Sequence, residues 1–135
     1  MDKYFNVETR VLTIPWNFDS ELKDLPEKVK IIIFEENIEI INPPAPYITG
    51  KISEFNHKLD ELPDSVTHLT LGTHFSQPIE LLPDSITHLT LGRNFNEPVN
   101  HLPKNLIYLM TGTYFNQPVD MLPANLTHLT LGYYF

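Results

Sequence analysis

One lattice of spacings constrains this chain more than any other feature. Pro63, Pro83, Pro103 and Pro123 lie 20 residues apart, and so do Pro78, Pro98 and Pro118. Gly72, Gly92, Gly112 and Gly132 keep the same interval, as do Phe55, Phe75, Phe95, Phe115 and Phe135. The unit reads LPDSVTHLTLGTHFSQPIEL from Leu62 to Leu81, then LPDSITHLTLGRNFNEPVNH, LPKNLIYLMTGTYFNQPVDM and LPANLTHLTLGYYF. A unit this short cannot bury its own apolar residues. Neighbouring units must stack and share one core, so the period dictates a solenoid.

Each place in the unit has a physical role. Leu69 and Leu71 flank Thr70 in the alternation of a short strand with one buried face. Gly72 follows as a turn residue, expected to take a backbone angle that other residues resist. Phe75 and Ile79 return apolar bulk to the interior. Pro78 and Pro83 forbid a helix on the return side, because each lacks a donor and clashes with a preceding carbonyl. The return is therefore extended or polyproline-like. Pro83-Asp84-Ser85 turns into the next strand, with Asp and Ser able to bond nearby amides.

Degenerate copies occupy residues 1–54, and regular repeats fill 55–135. Phe5, Thr9, Leu12 and Ile14 take the places of Leu62, Val66, Leu69 and Leu71, and Val29, Ile32, Phe34 and Ile38 repeat the apolar places of the unit. From Leu25 to Leu62 is 37 residues, which reads as two coils, one of them about three residues short. The register breaks in INPPAPYITG (Ile41 to Gly50), where Tyr47–Thr49 and Lys51–Ser53 are both candidate strands. The count is about seven coils in a single domain spanning 1–135.

Composition narrows the function. Nine basic against 17 acidic side chains give −8, and both halves of the chain are acidic. That disfavours nucleic acid and anionic membranes as partners. The chain has no cysteine, which removes disulfides, thiol catalysis and Cys-ligated metals and fits a reducing, cytoplasmic setting. No apolar run approaches a membrane span.

The apolar spacing Leu-x-x-Leu-x-Leu is that of a leucine-rich repeat. The strings THLTLGRNFNEPV (Thr87 to Val99) and TGTYFNQPVDMLP (Thr111 to Pro123) resemble FNIP repeats, a subclass of that family. Departures include Leu91 and Leu131 where Phe is usual, Ser76 for Asn, and Met110-Thr111, which puts a hydroxyl at a core site. The resemblance implies a mainly β leucine-rich-repeat solenoid with a parallel sheet on its concave side and a helix-poor convex side. It also implies an origin in amoebae or their giant viruses, and a non-catalytic, protein-binding role in the (host) cytoplasm. Family members often follow an F-box and serve as substrate adaptors for ubiquitin ligation. With copies starting near Phe5, an adaptor role here would use a partner's F-box.

In such a fold the side chains between buried strand residues point outward. These columns hold His68, His88, Tyr108 and His128, then Thr70, Thr90, Met110 and Thr130. Together with Ile107 they are the candidate partner-binding residues, Ile107, Tyr108 and Met110 forming an apolar spot. Stacked imidazoles could attract a metal, but Tyr108 interrupts the column and no carboxylate matches it, so no metal or cofactor is expected. Asn56, Asn96 and Asn116 form a column expected to bond the next coil's backbone from a buried turn. Glu35, Glu36 and Glu39 read as a solvated acidic loop. No nucleophile elbow, phosphate loop or zinc-protease motif is present, so no catalytic residue is assigned. Tyr133, Tyr134 and Phe135 carry no polar cap, which marks them for self-association, for instance as a homodimer.

Overall fold

The computed structural model describes residues 2–41 and 47–135. A three-residue 3-10 turn (Asp2–Tyr4) leads into β1 (Phe5–Asn6), β2 (Val11–Ile14), β3 (Ile31–Phe34), β4 (Asn37–Ile41) and β5 (Tyr47–Lys51). The regular repeats supply β6 (His68–Thr70), β7 (His88–Thr90), β8 (Tyr108–Met110) and β9 (His128–Thr130). Seven strands form one sheet in the order β1-β2-β3-β6-β7-β8-β9, while β4 and β5 pair only with each other. From β2 onward every pairing in the large sheet is parallel. This is the helix-poor leucine-rich-repeat solenoid that the period requires.

The sheet begins with a cap of a different kind. β1 runs antiparallel to β2 and covers its outer edge. The Asn6 carboxamide oxygen accepts the amides of Glu8 and Thr9, and Arg10 takes the left-handed conformation at φ 59°, so the chain reverses within four residues.

The strands register so that Leu12, Ile32, Leu69, Leu89, Leu109 and Leu129 form one inward column. Behind them runs a ladder of rings from Phe18 through Phe55, Phe75, Phe95 and Phe115 to Phe135. Successive centroids are 6.1–6.4 Å apart and the planes nearly parallel. Four of these rings are fully buried and are among the largest side chains of the core. Coils are also tied to each other by polar groups. Ser65 and Ser85 donate to the carbonyls of Val29 and Val66 at 2.6 and 2.7 Å. Asn96 Oδ1 accepts the Asn116 amide at 2.8 Å, and Asn56 does the same for Ser76. The asparagines thus bridge coils as expected, but from the exposed surface rather than from a buried turn. Thr111, the hydroxyl at a core place, is satisfied by accepting the Gly132 amide at 2.9 Å.

Three expectations change. The parallel strands number six, not seven, because the 37-residue interval is one coil and not two. Ile31 pairs with His68, whereas all other parallel neighbours pair 20 residues apart. The extra 17 residues, 35–51, contain the β4–β5 hairpin, and β5 covers the first of the two candidate segments. Consequently Phe55 follows Phe18 in the ring ladder and also packs at 4.6 Å on Phe34, while Ile38 lies on β4 opposite Gly50. Of the stretch in which the break was placed, residues 42–46 lie outside the described residues.

Glu36 is the second change: it is structural, not a solvated loop residue. Its carboxylate accepts the amides of Ser53 (3.0 Å) and Thr73 (2.5 Å) and the Thr73 hydroxyl (3.0 Å). It stands where the insertion leaves the coil, and ties that point to Ser53, where the chain rejoins, and to Thr73 of the next coil.

The third concerns the four repeat glycines, Gly72, Gly92, Gly112 and Gly132, none of which takes the left-handed conformation. They permit close approach instead. A Cβ on Gly92, Gly112 or Gly132 would lie 1.8–1.9 Å from the carbonyl oxygen of the preceding glycine in the column. Gly92→Ala is therefore expected to cost about 3 kcal/mol or more, as overpacking against backbone does. Urea unfolding measures it, and a loss under about 1 kcal/mol would contradict the close-approach account. Glu36→Ala leaves two amides unpaired and should cost about 2 kcal/mol, read from the same midpoint shift.

Candidate functional site

The outward face of the sheet is built by register. Pairing of His68 with His88, His88 with Tyr108 and Tyr108 with His128 places the four rings in one column. Val11 and Ile31 continue that column into the degenerate coils. Thr70, Thr90, Met110 and Thr130 form the next column, continued by Ile33 and Thr13. The structure thus brings the candidate residues of the sheet together on one surface, half-buried or exposed throughout.

The rings stack. His68 and His88 lie 4.2 Å apart with planes 9° from parallel, Tyr108 follows at 5.8 Å, and His128 at 6.3 Å. A threonine beside each imidazole sets its orientation. Thr67, Thr87 and Thr127 place their hydroxyls 2.8–2.9 Å from Nδ1 of the following histidine. The same hydroxyls sit 3.2–3.3 Å from a carbonyl of the preceding coil. The arrangement that satisfies both contacts has Nδ1–H donating to the hydroxyl and the hydroxyl donating to the carbonyl. Nε2 is then left to accept from, or when protonated donate to, a ligand. Ile107 replaces this threonine beside Tyr108, so the coil of β8 loses the polar relay and gains apolar surface. There Ile107 is 39% and Met110 40% exposed, with the Tyr108 hydroxyl 3.6 Å from the Met110 sulfur.

The parallel imidazole planes direct their nitrogens side by side rather than toward a common point, which is poor geometry for a shared metal. Among the described residues no group of three or more His, Asp or Glu is placed to hold a metal ion. A separate shallow cleft of about 400 Å³ on the return side is lined by Glu21, Lys23, His57 and Asp60 among others. It joins opposite charges already paired, His57 with Asp19 at 2.8 Å and Lys23 with Glu21 at 2.5 Å.

Tyr133, Tyr134 and Phe135 lie on the coil of β9. Phe135 stacks on Phe115 at 6.2 Å and Tyr134 on Tyr114 at 5.2 Å, while Tyr133 meets Tyr134 edge-on. Arg93 lies over the Tyr114 ring at 5.3 Å. All three C-terminal aromatics remain exposed.

A sequence model of the FNIP repeat matches residues 55–94 and 98–134, more than half of the chain. The chain belongs to the FNIP-repeat family. No curated protein matches it in sequence. Among solved structures it is similar to CroV588, described as a novel circular LRR protein, at 33% identity and a TM-score of 0.74. The match covers 93% of this chain, which spans only 17% of that protein's length. The first family match starts at Phe55, where the regular repeats begin: the degenerate coils keep the inward column but have no Gly at the place of Gly72.

Two features of the site were missed in the sequence. The threonine–histidine relay was written three times, as Thr67-His68, Thr87-His88 and Thr127-His128, and that recurrence was the available signal. Lys30 and Arg10 precede β3 and β2 at the place of Thr67; the signal for them was the phase that puts Val29 and Thr9 at the place of Val66. The Lys30 carbonyl accepts the amides of Thr67 and His68, and the Arg10 carbonyl those of Lys30 and Ile31, which fixes both in this third column.

Burial, and then the neighbouring His88, hold the His68 imidazole below its ordinary pKa. The unfolded chain therefore binds more protons near that ordinary value, and stability falls as pH drops through it toward the folded value. NMR titration should show His68 titrating below the usual imidazole midpoint, and His88→Ala should move it back up. A His68 midpoint at or above the usual value would contradict the stacked geometry.

Proposed function

We propose that the FNIP coils form a non-catalytic protein-interaction module whose partner docks on the outward face of the sheet. The observation that carries this reading is the ordered column of His68, His88, Tyr108 and His128, flanked by the exposed Ile107 and Met110. Oriented rings, an exposed methionine and hydroxyls without catalytic partners are what interface cores are made of. The family and the solenoid support the reading, since leucine-rich repeats typically bind rather than catalyse. A role as ubiquitin-ligation adaptor would be one use of such a face, its partner supplying the F-box. No helix among the described residues is long and apolar enough to cross a membrane.

A second reading is favoured by the coil of β9. Leu129 is 40% exposed whereas Leu109, one coil earlier in the same column, is fully buried. With Tyr133 and Phe135 it makes an apolar surface on which a further coil of this kind would stack. The similarity to a circular repeat protein supports end-on stacking of such coils.

Cross-linking mass spectrometry on material captured from an amoebal lysate separates the two. The first reading expects cross-links clustered around the sheet face and at least tenfold weaker capture by the His88→Ala, Tyr108→Ala double variant. Cross-links confined to the return side, or capture indifferent to the variant, would overturn it. The second reading expects a mass that rises with concentration and falls back to the monomer in Leu129→Glu.

A further inference from the structure

The outward face differs from the rest of the molecule in charge. Three columns make it up: Arg10, Lys30, Thr67, Thr87, Ile107 and Thr127; the ring column with Val11 and Ile31; and the threonine column with Ile33 and Met110. None of the chain's 17 Asp and Glu side chains falls in any of them. Its charged groups are Arg10 and Lys30, both exposed, together with the titratable imidazoles. Carboxylates gather elsewhere, with Asp60, Glu80, Glu97 and Asp120 exposed or half-exposed on the return side. A chain of net charge −8 therefore presents one face that is neutral to cationic. That face also has a direction: bases near β2 and β3, oriented imidazoles at β6 and β7, and the apolar spot at β8.

We infer that the occupant of this face is an extended acidic peptide segment, lying across the coils with carboxylates opposite Lys30, Arg10 and the imidazoles and an apolar side chain against Ile107 and Met110. The inference rests on the interaction reading above and specifies its partner. Six strands at about 4.8 Å spacing span about 24 Å, the length of about seven extended residues. Within the three columns an acidic segment meets no carboxylate, the exposed Glu35 lying two places beyond Ile33 at the border of the face, whereas it would be repelled by the return side. Each imidazole can meet a carboxylate without losing its internal bonds, because Nδ1 is already committed to threonine and Nε2 is left over.

The test uses fluorescence anisotropy with labelled eight-residue peptides. Each carries four Glu at one end and Leu-Phe at the other, in both sequence orders, and is paired with a counterpart bearing Gln for Glu. The expected result is at least tenfold tighter binding of a Glu peptide than of its Gln counterpart. That preference should be lost in Lys30→Glu, kept in Lys104→Glu on the far turn, and weakened when salt is raised about tenfold. Equal affinity for the Gln peptide, absence of binding by either Glu peptide, or equal loss in Lys104→Glu would overturn it. So would tighter binding of a single-stranded oligonucleotide, or a second copy occupying the face. A partner cross-linked to this face through a neutral or basic segment would sink this inference and leave the interaction reading standing. A partner mapped to the return side would sink both.

Discussion

The close approach of one glycine to the next sets the geometry on which everything else in the chain depends. Where a Cβ would fall within 1.9 Å of the preceding coil's carbonyl, no other residue fits, and the coils are held at one separation along that edge. The phenylalanine ladder fills the interior at the same repeat, with centroids 6.1–6.4 Å apart. Prolines keep helix out of the return side, so nothing as thick as a helix forces the coils apart there. That side is not extended as expected but runs through short turns, Phe75, Leu82 and Ile86 donating their amides to the carbonyls of Gly72, Ile79 and Pro83. Apolar stacking then supplies the driving force, while the serine and asparagine bridges hold the register between neighbours.

A repeat translated this regularly projects each outward position as a column. The chemistry of the face is therefore the chemistry of a few sequence places multiplied by the number of coils. Threonine before histidine orients an imidazole in one coil, and the same dipeptide orients it again in the next. Replacing it by Ile107-Tyr108 changes a whole site at the cost of two substitutions. The fold carries the alteration without strain, because neither side chain faces the core.

The period, the strand alternation, the inward columns and the ring ladder of the regular coils were all legible in the sequence, because each recurs at fixed spacing and recurrence distinguishes a structural place from an accident. The hairpin insertion was not legible. Its 37-residue interval is close enough to two periods that Ile38 fitted a core place by spacing alone, and only the pairing of Ile31 with His68 shows a single coil. Glu36 was invisible for a related reason: it accepts backbone amides only at this interruption, so it repeats nowhere. The sheet-face residues from His68 onward were legible by register, and the phase of Val29 and Thr9 placed Lys30 and Arg10 in the same columns; only the direct adjacency of Lys30 to Thr67 depended on placing the insertion. The glycines were found at once but for a different physical reason, since spacing reveals that a small residue is required and not whether an angle or an approach requires it.

The account's central claim is that the carboxylate-free sheet face is a docking surface separate from what holds the fold together. Placing one carboxylate at its centre, Thr90→Glu, tests that claim most directly. The account predicts stability within about 0.5 kcal/mol of the natural chain, because Thr90 points away from the core. It also predicts at least tenfold weaker binding of the partner that cross-links to the face. Unchanged binding with unchanged stability would contradict it, and would move the functional surface to another side of the coils.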